Sequence, residues 1–158
     1  MNNEILKAIK PIFGQKCCRA RINSFKYLSL GFGKKIFHNN PKLDDEYYGE
    51  WEIGSYRSSW RIMRGERVLL GKQDVEENNE LNEKLSKIKF GEIVFIKQIS
   101  KLDIRVELKN NLFVDFLSTF SDIDESFHIF CPDHMFIEMD NKGRWTKGKS
   151  NEPYISKK

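Results

Sequence analysis

The sequence predicts an α+β fold, mostly antiparallel β-sheet, with two pseudo-repeats that each hold a helix followed by about four strands. Three observations carry this. Segments such as Leu102-Asp103-Ile104-Arg105-Val106-Glu107-Leu108-Lys109 alternate apolar and polar residues without a fault, the pattern of a half-buried strand. Two segments, around Ile5–Ile9 and Leu81–Ile88, instead have apolar residues at helical spacing. The order of these elements also recurs along the chain.

The recurrence is seen when residues 6–27 are aligned with 83–104. Lys7 meets Lys84, Lys10 meets Lys87, Phe13-Gly14 meets Phe90-Gly91, and Ile22 meets Ile99. After a one-residue slip, Glu50-Trp51-Glu52-Ile53 corresponds to Ser126-Phe127-His128-Ile129, and Trp60 to Phe136. Gly65, Gly71 and Lys72 then correspond to Gly143, Gly148 and Lys149. The expectation is a single domain over 1–150, with copies spanning about 5–74 and 82–151, in which Trp51 and Phe127 occupy matching core positions. Residues 151–158 read as a mobile basic tail.

In the first copy, Ile5, Leu6 and Ile9 form the apolar face of the helix, which Pro11 ends or kinks. A strand region over Phe25–Phe37 contains Gly31 and Gly33, residues that predict a bulge or bend. Trp51-Glu52-Ile53 and Trp60-Arg61-Ile62 read as two further strands. In the second copy, Asn78 or Asn79 is the expected N-cap, with Glu80–Lys84 and Glu83–Lys87 as supporting i,i+4 pairs and Gly91 just past the helix. Asn110-Asn111 suits the positive φ of a tight hairpin, with Leu112–Leu117 returning. Phe127-His128-Ile129 and Met135-Phe136-Ile137 complete the copy.

Composition narrows the class. At 39% hydrophobic and 13% aromatic, 158 residues can fill a core, which excludes intrinsic disorder. The longest apolar run, Ile93-Val94-Phe95-Ile96, is too short for a membrane span, and Met1-Asn2-Asn3-Glu4 lacks a secretion-signal layout. Three cysteines, none in a Cys-x-x-Cys pair, suggest neither a disulfide framework nor a zinc module. A cytoplasmic protein without cofactor is expected. Basic residues dominate 1–40 and 142–158, and acidic ones the stretch between, so the net charge of +4 hides two oppositely charged surfaces.

No catalytic constellation emerges, so an enzyme is not expected. His128, Cys131 and His134 are metal-ligating types at three-residue intervals, but they straddle a hairpin around Cys131-Pro132-Asp133, and no metal site is expected. Cys17-Cys18 lies in a strand with the two side chains on opposite faces, one of them in the core; the other, between Lys16 and Arg19, would have its pKa lowered if exposed. Gly31-Phe32-Gly33-Lys34-Lys35 lacks the spacing and following helix of a phosphate loop. Arg19, Arg21, Lys26, Lys34 and Lys35 interleave with Phe25, Tyr27, Phe32 and Phe37, a mixture that suits single-stranded nucleic acid but reads first as an amphipathic sheet with aromatics in the core and lysines in solvent.

The run Trp51-Glu52-Ile53, Trp60-Arg61-Ile62 and Leu70-Gly71-Lys72-Gln73-Asp74, followed by Asp103–Leu108 and Asn110-Asn111, resembles small uncharacterised bacterial domains akin to immunity proteins of polymorphic or contact-dependent toxin systems. The resemblance implies a protein partner, a toxin domain that this chain binds and neutralises. The alternative is a nucleic-acid-binding module using the basic N-terminal strands. Acidic loops precede both aromatic strands, so the expected partner-binding residues are Asp44, Asp45, Glu46, Asp122, Asp124 and Glu125.

Overall fold

The alternating segments become strands wherever one side of the alternation can be buried against a second sheet. A computed structural model describes residues 1–41, 45–56, 58–121 and 125–151. Its elements are α1 (Asn3–Ile9), a 3-10 turn (Lys10–Ile12), β1 (Cys17–Ile22), β2 (Leu28–Phe37), β3 (Tyr47–Gly54), β4 (Ser59–Arg64) and β5 (Arg67–Gly71). They continue with α2 (Asn78–Ser86), β6 (Ile93–Gln98), β7 (Ile104–Leu108), β8 (Leu112–Leu117), β9 (Glu125–Phe130), β10 (Met135–Asp140) and β11 (Trp145–Lys149). Five strands therefore follow α1 and six follow α2 among the described residues, more than the four expected of each half.

All pairing between named strands is antiparallel. A six-stranded sheet has the order β1-β2-β3-β9-β10-β11, and a five-stranded sheet the order β5-β4-β8-β7-β6. The chain thus passes between sheets from β3 to β4 and again from β8 to β9. The pairs β3·β9 and β4·β8 join a strand of the first half to one of the second. One apolar row crosses the inner face of the six-stranded sheet: Ala20, Leu30, Ile53, Ile129 and Ile137, ending at Lys147. Trp60, Ile62, Val106, Val114 and Phe116 answer from the five-stranded sheet, and Phe116 meets Phe127 across the interface at 5.3 Å. Trp60 is 1% exposed and its indole Nε1 donates to the Lys26 carbonyl at 2.8 Å.

Local signals held where local chemistry decides. Asn2 caps α1 by accepting from the Ile5 N–H at 2.9 Å, and the helix stops before Pro11. Lys84–Glu80 and Lys87–Glu83 pair on α2. Asn110 and Asn111 have φ of 62° and 57°. Gly33 has φ +81° beside the β2–β3 register shift. The α2 cap differs from expectation: Glu77 holds the N-cap position without a side-chain bond, and Asn78 donates instead to the Ser24 carbonyl. Tertiary bonding outcompetes capping there. The Cys18 thiol is also pushed up, not down, because desolvation and the nearby Glu52 outweigh the cations around it. Trp51 and Phe127 both face the core of the six-stranded sheet, whereas Trp60 is buried in the five-stranded sheet and Phe136 lies half-buried on the six-stranded one. Of the basic tail expected over 151–158, residues 152–158 lie outside the described residues. Among the described residues, no helix is long and apolar enough to cross a membrane.

Candidate functional site

Alternation sends every second residue of the six-stranded sheet away from the core, and two rows of these cross all six strands in register. One row is Arg21, Ser29, Gly54, His128, Glu138 and Thr146; the other is Arg19, Gly31, Glu52, Phe130, Phe136 and Gly148. Glycine and serine at the middle of these rows leave the surface low, while large side chains stand on either side. The result is an open groove of about 550 Å3, with Tyr27, His38, Tyr47, Tyr48 and Tyr56 among its lining residues.

Two glycines are required by close approach. A Cβ on Gly31 would lie 2.6 Å from Glu52 Oε1 and 3.1 Å from the Arg19 Cβ. A Cβ on Gly54 would lie 3.0 Å from His128 Nε2. The groove floor is therefore built around ionisable side chains laid flat over bare backbone.

The Arg end is electrostatically closed. Glu52 is 9% exposed and accepts from Ser29 Oγ at 2.6 Å, Arg19 Nη1 at 3.0 Å and the Gly49 N–H at 2.6 Å. Arg19 also donates through Nε to Asp45 at 2.9 Å, and Arg21 pairs with the same carboxylate. Among the described residues, these two guanidinium groups pair with two carboxylates, and Glu50 also lines the groove. A buried charge is tolerable only when paired and hydrogen-bonded in this way.

The other end is different. His128 Nδ1 bonds the Glu125 carboxylate. The imidazole side chain is only 7% exposed. Tyr56 and Phe130 account for that, with ring centroids 4.7 Å and 4.6 Å from the imidazole. Glu138 faces His128 directly across β9–β10. Burial pushes the Glu138 carboxyl up, repulsion from Glu125 adds to this, and His128 opposes it. The Tyr56 hydroxyl is raised by burial and by both carboxylates. Burial likewise pushes the Cys131 thiol, at the groove margin, up to about 12.

The expected acidic-loop residues fare unequally. Asp44, Asp122 and Asp124 lie outside the described residues. Asp45 is engaged by Arg19 and Arg21, Glu125 by His128, and Glu46 is exposed. Because β3 and β9 run antiparallel, Asp45, two residues before β3, and Glu125, the first residue of β9, lie toward opposite ends of this strand pair. Of the five cations that interleave with the N-terminal aromatics, Arg19 and Arg21 are ion-paired in the groove, Lys26 donates to the Val75 carbonyl, and Lys34 and Lys35 are exposed. Phe32 is buried, whereas Phe25 and Phe37 are exposed. His128, Cys131 and His134 do not converge, and among the described residues no group of three His, Cys, Asp or Glu side chains could hold a metal ion. Polar residues flanked by core aromatics and isoleucines, Glu52 in Trp51-Glu52-Ile53 and His128 in Phe127-His128-Ile129, were the available signal for this site.

Family models, curated proteins and solved structures contain no match to this chain.

Proposed function

We propose that this chain is an immunity-type binding protein that captures and neutralises a toxin domain through the outer face of its six-stranded sheet. One observation carries the reading: ion pairs occupy the Arg19–Arg21 end of the groove floor, while its surroundings expose large aromatics. Phe25, Phe37, Tyr48, Tyr56 and Phe130 are each at least 39% exposed on strands or loops of that sheet. Aromatic side chains at a rigid surface supply most of the energy in protein–protein interfaces, and they cost little conformational entropy to order. The imidazole of His128, covered by two rings, is poorly suited to proton transfer with a substrate, so binding explains the site better than catalysis. The exposed Glu46, between the lining residues Asp45 and Tyr47, fits steering of a cationic partner.

Duplication belongs to the same proposal. Each helix precedes three consecutive paired strands, β1-β2-β3 and β6-β7-β8, and each third strand accepts a strand from the other half. A pseudo-twofold ancestor would give that connectivity by matching β3 with β8 and β4 with β9, whereas the residue alignment pairs Trp51 of β3 with Phe127 of β9, in the same sheet.

A second reading has its own support. Lys35 Nζ sits 4.3 Å over the Tyr47 ring beside exposed Phe37, a combination that could stack and hold single-stranded nucleic acid. Co-expression with C-terminal domains of large polypeptides encoded beside this gene separates the two. A domain that arrests growth should be silenced by this chain and form a complex with it, and Tyr48→Ala with Phe130→Ala should weaken the complex about tenfold or more. Growth rescue without a complex refutes the proposal. So does tight binding to oligothymidylate that Lys34→Glu with Lys35→Glu abolishes.

A further inference from the structure

We infer that the His128 end of the groove seats a single lysine or arginine side chain presented by the protein partner; this rests on the protein-binding reading above. The two ends of the groove differ in the cations that face their carboxylates. At the Arg end, Arg19 and Arg21 pair with Asp45 and Glu52, and Glu50 lines the groove beside them. At the other end two carboxylates, Glu125 and Glu138, share one imidazole, and no arginine or lysine of the described residues forms an ion pair with either. The Glu138 carboxyl makes no hydrogen bond or ion pair among the described residues, yet it is half-buried and feels Glu125.

The walls of this end suit an organic cation. Tyr56 is 46% exposed and Phe130 39%, and both rings already line the groove. An ammonium or guanidinium entering there would meet the Tyr56 and Phe130 rings beside His128, which bonds Glu125 and stands opposite Glu138, and would gain cation–π attraction and the field of both carboxylates. The same cation would relieve the repulsion between Glu125 and Glu138. A phosphate would meet that repulsion undiminished, which disfavours nucleic acid at this end. A metal ion lacks the ligand set, since no three metal-binding side chains converge among the described residues. Lys72 is occupied with the Ser58 carbonyl at 3.0 Å and lies over the ring of the lining residue Tyr27.

The test is an NMR titration of the full chain with the blocked peptide acetyl-Gly-Arg-Gly-amide and with its Arg-to-Gln counterpart. The arginine peptide should shift the amides of Tyr56, His128, Phe130 and Glu138, and the glutamine peptide should not. Glu138→Gln should weaken the arginine peptide about fivefold, and Phe130→Leu should weaken it too. Equal shifts with both peptides overturn the inference, as do shifts confined to other surfaces or an unchanged affinity in Glu138→Gln. In the complex with the toxin domain, the same Glu138→Gln variant should raise Kd and flatten its salt dependence. Unaltered capture by that variant refutes the cation seat alone. Absence of capture by the parent chain refutes the binding function itself.

Discussion

Ile53 of β3 lies directly opposite Ile129 of β9, at the junction where the two halves of the chain meet within one sheet. Both are fully buried, and the next pair outward is Gly54 with His128 on the opposite face. One cross-strand step thus couples the core to the groove. The step also explains why the groove floor is rigid: its backbone is the backbone of the core row.

Trp60 and Phe136 were aligned by sequence but have unequal surroundings. Trp60→Ala should cost about 3–5 kcal/mol, through a cavity and the loss of its bond to Lys26. Phe136→Ala, half-buried on the outer face, should cost about 1 kcal/mol. Urea denaturation of the two variants measures the difference, and equal costs would contradict the sheet assignment.

Asp115 sits fully buried beneath Arg61 and Arg105, accepting from Arg61 Nε at 2.8 Å and from Arg105 Nε and Nη2 at 2.6 and 2.9 Å. Burial alone would raise its carboxyl, but the hydrogen bonds and charges of the two arginines outweigh that and hold it below the ordinary range. Asp115→Asn should cost about 3–5 kcal/mol at neutral pH, because it strips both guanidinium groups of their counter-charge. A depressed carboxylate contributes stability that is present above its unfolded value, about 3.9, and fades as pH falls through the folded one. Parent and variant should therefore converge below about pH 4. Parallel stability curves down to pH 2 would exclude the assignment.

Glu138 has the opposite sign. Its raised carboxyl means that the folded protein holds this proton more tightly than the unfolded chain does. Stability tied to it is full below about pH 4.3 and is lost as pH rises through the folded value. Glu138→Gln should leave the melting temperature unchanged at pH 4 and raise it at pH 7 in the absence of a partner. A lowered Tm at pH 7 would mean that the carboxylate is already compensated within the chain.

Gly31→Ala should destabilise by about 1–3 kcal/mol, since its Cβ would enter contact with a Glu52 carboxylate that three hydrogen bonds hold in place. Gly31→Ala combined with Glu52→Ala should cost less than the sum of the single losses, because Glu52→Ala removes the carboxylate that the added Cβ would contact. Chemical denaturation of the double-mutant cycle reads the coupling.

Much of the strand content was legible because alternation is a local property. Leu112–Leu117 and the Asn110-Asn111 turn follow from adjacent residues alone. Strand partners were not legible, since β3·β9 pairing joins residues some seventy positions apart and depends on which apolar faces meet. The same distance problem hid the site. Arg19 and Arg21 read as cations available to a phosphate, yet Asp45, distant in sequence, neutralises both. Asp45 itself read as a carboxylate open to a partner for the same reason. Glu52 and His128 did carry a signal: a charged or ionisable residue between two core side chains must find partners on the far face of its sheet.

The two passages between sheets have a consequence for biosynthesis. When β3 leaves the ribosome its neighbour β9 has not been made, and roughly seventy further residues must be translated before that edge can close. β4 waits in the same way for β8. An unpaired strand edge is a template for other chains, so the nascent protein passes through an interval of exposed edges that its finished form does not have. Synonymous codons that slow elongation between β5 and β8 would lengthen that interval. They would lower the soluble yield without changing a single residue of the mature chain.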